Sequence, residues 1–142
     1  MLARVALLLA CLFLVAPVQA EESLYKRLGG YDAIFAVTDD FLGRLINHPQ
    51  TSKYFVGAST NTRQRIRQHV VDFIAANTGG PTDYQGRGMR VAHKGLGITK
   101  AEWRVSTGLL IDTLQKFKVP KKESDELLTL VHSVEDEIVE KK

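Results

Sequence analysis

The sequence predicts an all-α fold, and three observations carry that prediction. Apolar residues recur at spacings of three and four in four long segments, the mark of a helix with one buried face. No stretch sustains the two-residue alternation of a half-buried strand, and no internal repeat or low-complexity tract is present. The segments are divided by Gly29-Gly30, Pro49, Gly79-Gly80-Pro81 and Pro120, residues that end helices. At 142 residues the chain can bury one real core and is too short for two.

Residues 1–20 are expected to stand apart from that domain. Arg4 gives a positive start, Val5 to Val15 is apolar, and Val18-Gln19-Ala20 ends in small residues before Glu21-Glu22. This is the pattern of a secretory signal cleaved after Ala20. The apolar run is short for a membrane span and Pro17 follows it, so no stable membrane insertion is expected after cleavage. The sole cysteine, Cys11, lies inside this signal, which leaves residues 21–142 without disulfide, thiolate or cysteine-zinc chemistry. Loss of Arg4 leaves 18 basic against 16 acidic side chains, a net charge of +2 that does not call for nucleic acid.

Ser23 to Leu28 reads as a turn or two of helix halted by the glycine pair. The next helix, about Tyr31 to Asn47, carries Ile34, Val37, Phe41 and Leu45 on one face, widened by Leu42 and Ile46. His48 to Thr62 is mostly connection, with Tyr54-Phe55 expected to fold back onto the core. Asn61 or Thr62 is expected to cap a third helix, about Arg63 to Asn77, with Ile66, Val70, Phe73 and Ile74 inward. Arg63, Arg65 and Arg67 fall around its other sides, as a solvated face or as partners for acidic groups on a ligand. His69 lies at the edge of the apolar stripe. Thr99 with Glu102 forms a capping box for a helix to about Lys116, with Trp103, Leu110, Leu114 and Phe117 inward. The last helix, about Lys121 to Glu140, would bury Leu127, Val131, Val134 and Ile138, with His132 on the surface. The four long helices can pack as two crossed pairs.

Between those pairs lies Gly79 to Trp103, glycine-rich yet flanked by helix. Long connections in compact helical domains tend to be functional, and this one holds His93 four residues after Met89, so the two share a face of a short helical turn. Serine and cysteine nucleophile motifs, phosphate-binding glycine loops and the His-Glu-x-x-His zinc motif are absent. What remains is a helical sandwich with His69 on one helix and His93 on the segment after it. An imidazole on a short helix is one way to hold haem iron. The residues alone leave that beside an ordinary surface or core histidine.

The order Leu24-Tyr25, Leu28-Gly29-Gly30, Phe41, Tyr54-Phe55, Gly79-Gly80-Pro81, Tyr84-x-Gly86-Arg87-x-Met89-x-x-x-His93, Leu96-Gly97-Ile98 and Trp103 resembles the truncated haemoglobins, and their first group most closely. The likeness covers about residues 23 to 120. It implies a two-over-two globin sandwich over residues 21–142 that binds haem b. In that likeness His93 is the proximal iron ligand, Phe55 packs on the haem face and Met89 lines the proximal side. Phe41, Leu42, Ile66, His69, Val70, Ile98 and Trp103 complete the expected haem pocket. The implied task is reversible binding of dioxygen, nitric oxide or carbon monoxide, or haem redox chemistry with an external reductase. Nitric oxide dioxygenation and peroxidase-like turnover are its implied side activities.

The sequence departs from that family at the distal side. Many members place a tyrosine after the Phe41 position, aided by a glutamine on the next helix; here stand Leu42, Ile66 and Val70, which donate nothing. A missing donor to bound dioxygen costs on the order of 1–3 kcal/mol. Tight oxygen retention and efficient nitric oxide dioxygenation are therefore not expected. His69 falls where some cyanobacterial relatives place a second iron-ligating histidine, which would make the iron six-coordinate. The competing expectation is a haem-free helical module that binds a protein partner or senses stress. An exported globin would belong in the periplasm of a Gram-negative cell.

Overall fold

The computed structural model describes residues 20–141, so the export signal read over residues 1–20 lies, but for Ala20, outside the described residues. Among them the chain is helical, with one isolated bridge between Thr99 and Lys141 as its only extended pairing. α1 (Leu24–Arg27) is a single turn capped by the Ser23 hydroxyl. α2 (Gly30–Asn47) and α3 (Thr60–Asn77) form the first long pair, joined through a 3-10 turn at Ser52–Phe55. α4 (Met89–His93) is five residues long and stands at the end of the irregular connection from Thr78. α5 (Lys100–Lys116) and α6 (Lys121–Ser133) form the second pair, and α7 (Glu135–Ile138) packs against α4.

The apolar spacing explains which faces meet. Ile34 of α2, Val71 and Ile74 of α3, Leu110 and Leu114 of α5, and Leu127 of α6 form one buried cluster. Each of the four long helices contributes, so the pairs cross over a shared core, with Phe41, Val70, Phe73 and Val131 packed around it. Full burial of such side chains stabilises by about 1.5–3 kcal/mol each. α1 is strapped to α6 by Arg27, whose guanidinium donates to Glu123 at 2.7 Å and also to Glu126.

Three expectations need correction. α3 begins before Arg63, because Ser59, and not Asn61 or Thr62, accepts from the Thr62 amide at 3.2 Å. Phe117 is 39% exposed where an inward ring was expected. The helix has ended by then, and Lys118 adopts a left-handed φ of 54° that turns the chain away. The last helix is not continuous to Glu140. It breaks at Val134, and Glu140 and Lys141 turn back to hydrogen-bond through their backbone with Ile98 and Lys100, a pairing that a continuous helix would forgo.

Candidate functional site

The segment carrying His93 is positioned by what precedes it. At the end of α3 the chain reverses through Gly79 and Gly80 directly beneath α1, and the Tyr25 amide donates to the Thr78 carbonyl at 2.8 Å. A Cβ on Gly80 would lie 2.7 Å from the Tyr25 ring and 2.8 Å from the Ala75 carbonyl, so only glycine allows this approach. Farther along, Tyr84 folds back onto α3, edge-on to Phe73 with centroids 5.5 Å apart and to His69 at 6.3 Å. Its hydroxyl donates to the Arg87 carbonyl at 2.9 Å, and burial pushes its phenol up from the ordinary value. Tyr84 thus pins the loop just before α4 opens.

On α4, His93 is half-buried and its Nδ1 lies 2.8 Å from the Met89 carbonyl oxygen, one turn back. A carbonyl only accepts, so Nδ1 carries the proton and Nε2 keeps an in-plane lone pair. Nε2 makes no hydrogen bond among the described residues. The backbone thereby fixes both tautomer and ring orientation, as an acceptor behind the ring does for metal-ligating imidazoles.

A cavity of about 300 Å³ opens between α2, the 3-10 turn and α3, with Leu42, Gly43, Ile46, Phe55 and Ile66 among its walls. Asp39, Thr60, Arg63, Gln64 and Arg67 complete its lining. Arg67 is held there by an ion pair with Asp39 and by the Phe35 ring, 4.5 Å from its guanidinium carbon. The wall bearing Phe55 is fixed from across the molecule by Glu102, which is 7% exposed. Its Oε2 accepts from the Tyr54 hydroxyl at 2.7 Å and from the Thr99 amide at 2.9 Å, and its other oxygen pairs with Lys53. Lys53, then Tyr54 and the Thr99 amide, hold this carboxyl down at about 2.

The structure brings Leu42, Phe55 and Ile66 to one cavity, and Met89 and His93 together on α4. Phe41 and Val70 are half-buried against the core, and Trp103 is buried with its ring edge-on to His132 at 6.1 Å. Ile98 is half-buried, and its carbonyl accepts from the Glu140 and Lys141 amides. His69 is exposed on α3, against Tyr84. The sequence reading missed Glu102 as a tie to Tyr54, and it saw the α3 arginines without their cavity. The capping-box spacing was the one signal for Glu102; nothing local pairs it with Tyr54.

Among the described residues no three His, Asp or Glu side chains converge to hold a metal ion by themselves. His93 does not line the cavity, but a lone imidazole with an oriented, unpaired Nε2 suits a metal whose other donors come from a planar macrocycle. The residues present therefore fit haem.

Comparison with known proteins agrees. The family model of the bacterial-like globins matches residues 23–140. A group 1 truncated hemoglobin of Mycolicibacterium paratuberculosis is 34% identical over 82% of this chain and 83% of its own length. Among solved structures, the 2/2 hemoglobin of a Synechococcus species, in the cyanomet state with covalently attached heme, superimposes with a TM-score of 0.72 at 30% identity, over 82% of this chain and 95% of its own. The truncated hemoglobin of Tetrahymena pyriformis in its Fe(III) form gives 0.76 over 83% and 98%; at 21% identity it speaks to the fold alone. The chain belongs to the bacterial-like globins, within the group 1 truncated haemoglobins, and is a two-over-two helical sandwich. Haem is the cofactor of that family, and binding a diatomic gas is what its haem does.

Proposed function

We propose that this globin holds haem b by His93 Nε2 and works outside the cytoplasm, exchanging a diatomic gas or an electron. The observation that supports this most directly is the 2.8 Å hydrogen bond from His93 Nδ1–H to the Met89 carbonyl. It leaves the free lone pair on the ring atom farthest from the backbone. When bound, haem supplies an iron centre that takes a gas ligand or changes oxidation state. The chain's own residues do the rest: Leu42, Phe55 and Ile66 exclude water from the distal side, while Arg63 at the cavity offers positive charge to the macrocycle's carboxylates. With no donor on Leu42, Ile66 or Val70, a gas is bound without a hydrogen bond from these positions. Redox turnover would need an external reductase.

The test is His93→Gly. It should abolish stoichiometric hemin uptake, and millimolar imidazole should restore it by occupying the vacated site. Uptake unchanged by the substitution would place the iron on another residue.

His69 supports a second axial arrangement. It is exposed, adjoins Val70 on α3 and, among the described residues, meets the edge of the Tyr84 ring, so a rotation of its side chain is not opposed by burial. His69→Ala should then convert a low-spin ferric spectrum to high-spin, and an unchanged spectrum would remove His69 from the iron. The export reading rests on the apolar run Val5 to Val15 and the small residues up to Ala20. N-terminal sequencing of the protein recovered from a periplasmic fraction should begin at Glu21; recovery of the intact N-terminus from the cytoplasm would contradict it.

A further inference from the structure

Glu140 and Lys141 close over the segment that follows His93. Both oxygens of the Glu140 carboxylate are used there: Oε1 accepts from the Gly95 amide at 2.7 Å and Oε2 from the Gly97 amide at 2.5 Å. The backbone reinforces this, with the Glu140 and Lys141 amides donating to the Ile98 carbonyl at 2.9 and 3.1 Å, and the Lys100 amide to the Lys141 carbonyl at 3.2 Å. One turn earlier on the same stretch, the Glu137 carboxylate reaches the Arg90 amide of α4 at 3.4 Å. The glycines suit this grip. Gly97 has a φ of +65°, and a Cβ there would lie 3.2 Å from the Lys141 ammonium. The two amides hold the Glu140 carboxyl below its ordinary range.

His93 is the last residue of a five-residue helix, too short to be stable on its own. Its position is set by what holds the two ends of that helix. Tyr84 fixes the entry, and the C-terminal residues fix the exit. We infer that Glu140 is a positioning residue for the iron-ligating imidazole, a C-terminal clasp that keeps α4 seated and slows loss of haem. The inference rests on the reading of His93 as the iron ligand.

The experiment compares the wild-type protein with Glu140→Gln and, from the other side of the contact, Gly97→Ala. Wild-type protein is first loaded with hemin; failure to load would sink the haem reading itself, and this inference with it, before any variant is made. Loaded protein is then mixed with excess acceptor apoglobin to measure hemin loss. A charge-assisted hydrogen bond is roughly twice as strong as a neutral one, so Glu140→Gln should lose hemin roughly ten-fold faster; Gly97→Ala, which forces a side chain into a left-handed φ of +65°, should also lose it faster. Amide exchange at positions 95 and 97 should accelerate in the hemin-free variants, while exchange in α2 and α5 stays as in wild type. The iron–histidine stretching band of the photolysed carbon monoxide complex should broaden, which a general loss of stability would not produce. Faster exchange with hemin loss unchanged would make the clasp a terminal tether without influence on His93. Unchanged exchange would mean that the carboxylate does not hold these amides in solution. Either result overturns the inference.

Discussion

The orientation of the His93 ring is set by a single hydrogen bond, and its spacing was half legible in the sequence. The spacing Met89-x-x-x-His93 puts the two on one helical face, but only the short helix shows that the Met89 carbonyl takes the Nδ1 proton. On the proposed reading, the absence of a donor at positions 42 and 66 is legible from residue type alone, and both Leu42 and Ile66 line the cavity. Leu42→Tyr should slow oxygen release by roughly 5- to 150-fold, the equivalent of about 1–3 kcal/mol of added hydrogen bonding. Stopped-flow displacement of oxygen by carbon monoxide reads this, and an unchanged rate would mean that position 42 does not face the bound gas. His69 is the residue that spacing described least well. It lies at the edge of the apolar stripe, and the ring of Tyr84, fifteen residues on, packs beside it, a contact that no local spacing encodes.

At the scale of elements, helices declared themselves and their joints did not. The Thr99–Glu102 capping box is present as its spacing required. The same carboxylate also receives the Tyr54 hydroxyl and Lys53, forty-eight and forty-nine residues away, and no local pattern encodes such a pairing. Glu102→Gln should cost about 1–3 kcal/mol at neutral pH, through the lost ion pair and the weakened cap. Its pH dependence follows from the sign of the shift. The folded carboxyl sits at about 2, below its ordinary 4.5, so the unfolded chain binds more protons between those values. The stability it contributes is complete above about pH 5 and is lost as pH falls toward 2. Urea midpoints at pH 7, 4 and 3 should therefore drop less steeply in Glu102→Gln than in wild type; parallel curves would assign the acid sensitivity elsewhere. The broken last helix has the same origin as the hidden Glu102 contacts. Its charged residues read as one amphipathic run, yet tertiary hydrogen bonds to Gly95, Gly97 and Ile98 draw the end out of it.

Across the whole molecule, the two helix pairs share one core to which each long helix contributes, and Leu114, 2% exposed, lies at its heart. Leu114→Ala should destabilise by about 2–5 kcal/mol, read from chemical denaturation, and a loss below about 1 kcal/mol would mean the core collapses around the gap. That core was readable because a helical period is a local property repeated over many residues. The cavity was not, because its walls come from three elements and its rim from arginines that look like any solvated face. The core leaves α4 outside it, tied down by Tyr84, the C-terminal residues and, on our reading, haem. The fold therefore predicts that hemin orders the proximal segment and adds stability by linkage. The most direct measurement is a hemin titration of the protein followed by absorption in the ferric and dithionite-reduced states. A Soret band saturating at one hemin per chain, lost in His93→Gly, is the expected result. No saturable band, with folding indifferent to hemin, would contradict a haem site and leave a helical module that serves a protein partner.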